Sequence, residues 1–167
     1  MSLLEGIRVL VGGPMKALFK ANAFDSDMRQ RVEITVSSLR SAGALVYSAH
    51  LAEKFEIARL TSVQTTARDF RWQLSCDVYV ALLPVDEFGV AIPSAGTSIE
   101  LGWATAFRKP VVILSDHAYT AGYSHLVRGL QAVSPVEHLD LWSSREQLIS
   151  TISRMTSVST EEGISRG

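Results

Sequence analysis

Two kinds of apolar pattern alternate along the chain. Short runs of aliphatic and β-branched residues predict β-strands at residues 7–11, 44–49, 78–83, 111–114 and 136–141. Apolar residues at helical spacing, such as Val32, Val36 and Leu39, indicate helices between these strands. The predicted helices cover residues 28–42, 65–75, 98–108 and 144–155, with shorter ones at 124–130 and at 51–60, where an ordered loop is the alternative.

This alternation predicts an α/β protein. Strands joined through helices need right-handed crossovers, which give a parallel sheet with helices on both faces. We therefore expect a single Rossmann-like or flavodoxin-like three-layer domain over residues 1–155, with a five-stranded, mainly parallel sheet. Residues 15–27 read as a loop that could cover a site, and residues 156–167, rich in Ser, Thr, Glu and Gly, as a flexible tail.

Composition and charge narrow the possible partners. The chain has 167 residues, 47% of them hydrophobic and 20% charged, with a formal net charge of -1. Such a balance is typical of a soluble globular protein and offers no attraction for nucleic acid or an acidic membrane. A single cysteine, Cys76, allows no internal disulfide and fits a reducing compartment. With no signal-peptide pattern and no histidine pair at ligand spacing, we expect a cytoplasmic protein without metal or cofactor.

Three features collect at the carboxyl ends of the predicted strands, where parallel sheets bind ligands. Gly12 and Gly13 follow the first strand, His50 follows the second, and the loop at residues 93–100 follows the third. Each has an ordinary alternative. The glycines could form a simple tight turn, and a lone histidine is more often structural than a contact to a sugar or base.

The segment 93–103 carries the strongest chemical signal. A small-residue loop leading into a helix presents backbone N–H groups that can hold an anion, here through Ser94, Gly96 and Thr97. Glu100 is predicted in the first helical turn, where the helix amides would keep it ionised and available as a nucleophile. The alternatives are a plain helix cap (Ser94, Thr97 or Ser98) and a solvated glutamate.

Four further residues are weaker candidates. Asp69 and Asp77 could each supply a second carboxylate, although Asp77 is as readily explained by a structural turn before a strand. Ser124 lies four residues before Arg128 on a predicted helix, where the pair could bind phosphate or form an ordinary surface pair. Trp103 could stack on a base or belong to the core.

The residues also resemble a known family. The motif at residues 94–104, followed by 109–114, is similar to the signature of the nucleoside 2-deoxyribosyltransferase superfamily. Supporting similarity to its nucleotide N-glycosidase branch, which includes cytidylate hydrolases and 2'-deoxynucleoside 5'-phosphate N-hydrolases, occurs at residues 12–14, 46–50, 76–81 and 126–130. The resemblance covers roughly residues 7–141 in the expected order.

The resemblance implies roles for several residues. Glu100 matches the glutamate that attacks the anomeric carbon, and Ser94 with the Gly96 amide matches the phosphate-binding loop. Ser124 matches a serine that a neighbouring subunit contributes to the phosphate, so a homodimer or larger assembly with shared sites is expected. Asp69 falls near the second acidic position. The tyrosine that some members place after the first strand is not evident here.

These expectations define one leading function and two alternatives. The leading hypothesis is a hydrolase that cleaves the N-glycosidic bond of a nucleoside 5'-monophosphate, with cytidylate favoured, to give free base and a sugar phosphate. A carboxylate stabilises or captures the oxocarbenium-like sugar, as in retaining glycosidases, while a second acid protonates the leaving base. The alternatives are a deoxyribosyltransferase and a non-catalytic nucleotide sensor.

Overall fold

A parallel β-sheet forms the centre of the computed structural model, which describes residues 2–20, 23–57, 59–116 and 122–164. The strands are β1 (Arg8–Gly12), β2 (Phe19–Lys20), β3 (Ala23–Phe24), β4 (Leu45–Ser48), β5 (Val78–Leu83), β6 (Val111–Ser115) and β7 (Val136–Asp140). The helices are α1 (Ser26–Ser41), α2 (Ala49–Ala52), α3 (Ser62–Ser75), α4 (Ala95–Ala106), α5 (His125–Arg128) and α6 (Arg145–Ile164).

The sheet has the strand order β4-β1-β5-β6-β7, and every neighbouring pair is parallel. This flavodoxin-like order confirms the predicted fold class. From β1 the chain goes first to one side of the sheet and then to the other, so the order reverses between β1 and β5. Such a switch point leaves a crevice at the carboxyl ends of the two strands.

The two faces of the sheet carry separate apolar cores. β5 is buried at every position, and its residues alternate between the faces. Val80 belongs to the core under α1 and α6, whereas Tyr79 and Ala81 belong to the core under α3 and α4, with Leu101. A strand buried on both sides explains the uninterrupted apolar run in the sequence.

Capping residues set the helix starts, and each long helix except α6 begins two or three residues before the predicted start. The Asp25 side chain accepts the Met28 N–H at 3.0 Å, Thr61 and Gln64 form a capping box, and Ser94 caps α4. Hydrophobic periodicity becomes visible only inside a helix, so the sequence pattern locates the helix better than its first turn.

The last helix is longer than expected. The end predicted at Met155 is wrong, because α6 continues to Ile164 through the segment that reads as a tail. Its polar residues do not interrupt the helix: the Thr156 hydroxyl donates to the Ile152 carbonyl at 2.9 Å, and the Ser157 hydroxyl to the Ser153 carbonyl at 2.8 Å. Within the described residues, no helix combines the length and apolar character that a bilayer crossing requires.

The predicted loop at residues 15–27 contains a short 3-10 turn and the antiparallel pair β2–β3. The Phe24 ring in β3 packs edge-on against His50, with ring centroids 5.6 Å apart, and against Phe55 at 5.2 Å. His50 itself lies in α2, directly after β4. The ribbon therefore fixes the position of this histidine from outside the sheet.

Asp77 joins two strands at the amino edge of the sheet. It accepts the Arg8 backbone N–H at 2.8 Å and pairs with the guanidinium at 2.7 Å and 3.1 Å. Partial burial raises the pKa of Asp77, but the hydrogen bonds from Arg8 outweigh it and hold this pKa below 3.8. The carboxylate therefore stabilises the fold at neutral pH, and this contribution is lost as the pH falls through its folded-state pKa.

We expect Asp77→Ala to lower the free energy of unfolding by about 1 kcal/mol at pH 7, because it removes this partly exposed pair. The difference from the unsubstituted protein should shrink below pH 3.8, where the carboxyl becomes protonated. Urea unfolding at several pH values measures both effects, with Glu87→Ala on an exposed turn as the control. A destabilisation that does not change with pH would contradict this account.

Candidate functional site

A cleft of about 520 Å³ opens at the carboxyl edge of the sheet, beside the switch point between β1 and β5. Its volume lies in the range of small-molecule sites. The cleft is lined by the loop after β1 (Gly12, Gly13, Met15, Lys16, Ala17), α2 (Ala49, His50, Glu53), α3 (Thr65, Asp69) and the start of α4 (Pro93, Ser94, Ala95, Gly96, Thr97, Glu100). Eight of the predicted site residues therefore meet in one place.

The first turn of α4 faces the cleft with free donors. Ser94 is the N-cap, and its hydroxyl oxygen accepts the Thr97 N–H at 3.2 Å. The N–H groups of Ala95 and Gly96 have no acceptor among the residues that the structure describes. A Cβ at Gly96 would meet nothing within 4 Å, so open space lies beside this turn. Ser94 can therefore cap the helix while the neighbouring N–H groups remain free for an anion, so the two interpretations of this segment are compatible.

Glu100 lies in the second turn of α4, because the helix begins at Ala95 rather than at residue 98. Its side chain points into the interior, where the buried Tyr79 hydroxyl donates a hydrogen bond to Oε2 at 2.6 Å. Tyr79 is the second residue of β5 and is absent from the sequence-based candidates. The sequence feature that could have identified Tyr79 is its position in an otherwise aliphatic strand, because a buried phenolic hydroxyl needs a hydrogen-bond partner.

Gly12 makes room for this pair. A Cβ at position 12 would stand 2.6 Å from Glu100 Oε2 and would also collide with the Tyr79 ring. Gly13 is similarly close to the sheet, with its Cβ position 3.0 Å from the Leu82 carbonyl oxygen. The first glycine is therefore required by close approach of the Glu100 carboxylate and not only by the turn.

Burial raises the pKa of Glu100 to about 7. The Tyr79 hydrogen bond opposes this shift, Asp69 adds to it by charge repulsion, and Arg68 lowers it. The direction of this shift is opposite to the expectation that helix amides keep Glu100 ionised, because Glu100 lies in the second turn, away from the free amides, and is largely desolvated.

A second group of charges forms the α2–α3 side of the cleft. The Arg68 guanidinium donates to Glu53 Oε1 at 2.6 Å and to Asp69 Oδ1 at 2.8 Å, and all three side chains are at least 86% buried. Burial raises the pKa of Asp69, although the hydrogen bond from Arg68 opposes it. Sequence analysis identified Asp69 but missed Glu53 and Arg68, whose pairing depends on how α2 packs beside α3.

His50 is buried and neutral. Its Nε2–H donates to the Pro14 carbonyl at 3.2 Å, and burial lowers its pKa. Nδ1 has no partner among the described residues and is left as an acceptor. His50 lines the cleft, so its predicted contact to a sugar or base stays a prediction. In the described part of the chain, no three His, Cys, Asp or Glu residues are grouped so that they could hold a metal ion.

Three predicted residues lie outside the cleft. Asp77 is at the opposite edge of the sheet with Arg8, which corrects its predicted binding role. Trp103 faces α3, where its ring packs edge-on against Phe70 with ring centroids 5.2 Å apart, and this too is a correction. Ser124 caps α5 and lines a smaller pocket that shares Pro93, Ser94 and Ala95 with the main cleft.

The fold and cleft define a flavodoxin-like α/β protein with a buried carboxylate near a helix N-terminus. Residues 19–141 match the family model described as nucleoside 2-deoxyribosyltransferase. The chain therefore belongs to this family, as its motifs imply.

Solved structures of several proteins share the fold. The CMP N-glycosidase BcmB of Clostridium botulinum is 25% identical, with a TM-score of 0.58 over 87% of this chain and 97% of that protein. BlsM is 28% identical, with a TM-score of 0.71 over 90% of each chain. A 2-deoxyribosyltransferase of Bacillus psychrosaccharolyticus, 16% identical, has a TM-score of 0.58 over 85% of this chain and 90% of its own. No curated protein sequence matches the chain.

Replacing Tyr79 by Phe removes the hydrogen bond that lowers the pKa of Glu100, so we expect this pKa to rise above about 7. NMR titration of the ¹³C-labelled Glu100 carboxyl measures the shift directly. Tyr47→Phe is the matched control, because the Tyr47 ring stacks on Trp72 rather than on Glu100. An unchanged or lower Glu100 pKa in the Tyr79 variant would show that the hydrogen bond does not hold the carboxylate form.

Proposed function

We propose that this protein hydrolyses the N-glycosidic bond of a nucleoside 5'-monophosphate, with cytidylate as the favoured substrate. The observation that carries the proposal is the position of the partly buried Glu100 carboxylate relative to the free N–H groups of Ala95 and Gly96. Glu100 follows Gly96 by four positions in the same helix, which corresponds to about 6 Å along its axis. A 5'-phosphate and the anomeric carbon of one nucleotide could occupy the two positions together.

The phosphate end of the cleft would use the first turn of α4. The Ala95 and Gly96 amides and the helix dipole favour an anion there, and the Ser94 and Thr97 hydroxyls, 2.8 Å apart, stand beside them. The open space at Gly96 leaves room for phosphate oxygens. Binding the phosphate positions the sugar carbon, so a nucleotide should react faster than its nucleoside.

Glu100 would be the nucleophile. In its ionised form one carboxylate oxygen bonds to the anomeric carbon while the N-glycosidic bond breaks and its electron pair leaves with the base. Asp69 is the proposed acid that gives a proton to the departing base, since burial raises its pKa towards the protonated form. Water then cleaves the glycosyl ester, which releases the sugar phosphate and restores Glu100.

The preference for cytidylate is supported by the comparisons. BcmB, which is 25% identical over 87% of the chain, is a CMP N-glycosidase. The second candidate function is deoxyribosyl transfer, which the family description favours. In that case a free base, rather than water, would take the sugar from Glu100. A non-catalytic nucleotide sensor would bind at the same cleft without turnover.

Incubation with cytidylate, uridylate, their deoxy forms and the matching nucleosides, followed by chromatography of the products, tests the proposal. We expect free base and sugar phosphate from cytidylate, and a loss of turnover of at least about 10³-fold in Glu100→Gln. Glu146→Gln, at an exposed helix start, is the control. Incorporation of an added free base into a new nucleotide would identify a transferase, and binding without product would identify a sensor.

We further propose that two subunits share each site. Ser124 does not line the cleft of its own chain but lies exposed at the mouth of the neighbouring pocket. The adjacent apolar surface includes Leu126, which is 84% exposed, and Ile99, which is 53% exposed. A second copy covering this surface would bury both side chains and could bring its Ser124 towards the Ser94 end of the cleft.

Mixing two inactive variants tests this arrangement. A Glu100→Gln chain and a Ser124→Arg chain should each be inactive alone, whereas a mixed dimer would contain one site with both original residues. Random mixing should then restore about a quarter of the original activity. If the mixture stays inactive while subunit exchange is verified by mass spectrometry, Ser124 does not act across subunits.

A further inference from the structure

The charges on the α2–α3 side of the cleft are unbalanced in a way that points to a ligand. One guanidinium, that of Arg68, is shared by two carboxylates, Glu53 and Asp69, which are only 7% and 9% exposed as residues. The Arg68 guanidinium donates a hydrogen bond to one oxygen of each carboxylate. The remaining oxygens, Glu53 Oε2 and Asp69 Oδ2, have no hydrogen-bond donor within the described ranges. Both residues line the cleft, so these oxygens are open to a hydrogen-bond donor of a bound molecule.

The direction of Glu53 is fixed by its surroundings. The Arg68 guanidinium lies over the Trp72 ring, 4.8 Å from its centroid, and Trp72 stacks on Tyr47 with only 12° between the ring planes. Arg68 therefore has little freedom to turn and hold both oxygens of Glu53. The carboxylate is presented to the cleft as a preformed acceptor with one lone oxygen.

The two carboxylates occupy different positions on the wall of the cleft. Asp69 accepts from Arg68 Nε, and its charge is near enough to Glu100 to raise the pKa of that residue, whereas Glu53 accepts from the terminal Nη2 of the same guanidinium. We assign Asp69 to the side of the sugar carbon and Glu53 to the side of the base. In a nucleotide, the group farther from the glycosidic bond is the outer edge of the base.

We propose that the free carboxylate oxygen of Glu53 accepts a hydrogen bond from the exocyclic amine of the base and thereby selects cytosine over uracil. This inference depends on the nucleotide substrate proposed above. Carboxylates are the natural partner of the cytosine amine, which is a donor. Uracil carries a carbonyl oxygen at the same position, so two acceptors would face each other in a buried site and neither would be paired.

The size of the effect follows from the burial. A site built to hydrogen-bond one substrate group rejects an analogue that cannot form the bond by about 10⁴-fold or more. We expect the ratio of kcat/KM for cytidylate to that for uridylate to exceed about 10³ in the unsubstituted protein. Cytidylate and uridylate differ at the exocyclic group and at the N3 proton, so the ratio reports the contacts to this edge of the ring. Its change in a Glu53 variant isolates the contribution of Glu53.

Glu53→Gln is the decisive variant. Its amide oxygen can still accept from Arg68, which turns the amide NH₂ towards the base as a donor. We expect the cytidylate-to-uridylate ratio to fall at least about 100-fold, partly through faster cleavage of uridylate. Glu56→Gln is the matched control, since Glu56 follows in the same segment with a side chain that is 63% exposed, and it should leave the ratio unchanged. Circular dichroism and thermal unfolding confirm that each variant is folded.

Each outcome decides the proposal. A folded, active Glu53→Gln protein with an unchanged ratio would show that Glu53 only supports Arg68. If Glu53→Gln does not fold, Glu53→Asp keeps the charge but withdraws the oxygen, and should slow cytidylate without improving uridylate. Calorimetric titration of Glu100→Gln with both nucleotides separates this inference from the proposed reaction. Tighter binding of cytidylate that disappears in the Glu53→Gln background supports it even without cleavage, and equal binding, or none, overturns it.

Discussion

The buried hydrogen bond between Tyr79 and Glu100 is the contact on which the cleft depends. A carboxylate taken out of water needs a donor, and the phenol supplies it at 2.6 Å from a strand that is buried at every position. Because β5 is fixed by neighbours on both sides, the donor cannot move away when Glu100 changes its protonation state. The sheet thus holds the reactive group from below, while α4 positions it from the side.

The two ends of the cleft differ in their electrostatic character. The α4 end offers free N–H groups and no carboxylate until Glu100, whereas the α2–α3 end carries two carboxylates for one guanidinium. An elongated ligand with an anionic group at one end and donor groups at the other fits this polarity. Burial, opposed by the Tyr79 hydrogen bond, raises the Glu100 pKa to about 7, and Asp69 and Arg68 act on it in opposite directions.

Sequence patterns predicted the features of this molecule that are set by residues close together in the sequence. The strands, the caps and the glycine turn follow from periodicity and from residues such as Ser94 and Gly12, so the fold class and much of the cleft could be predicted. Tyr79 lies inside a strand and Arg68 inside a helix. The local sequence pattern does not show which distant side chain each of them contacts in the folded protein. The prediction for Asp77 failed for a related reason. The sequence shows that Asp77 directly precedes a strand, but not that its side chain pairs with Arg8 at the edge of the sheet opposite the cleft.

The narrow space at Gly12 has a consequence for how such a site can arise or be transplanted. A methyl group at this position would stand 2.6 Å from Glu100 Oε2, which is too close for both to fit. A related α/β scaffold with any side chain there could not accept the inward glutamate until that side chain was removed. The glycine must therefore come first in any stepwise history or redesign, and the inward glutamate can be acquired only afterwards.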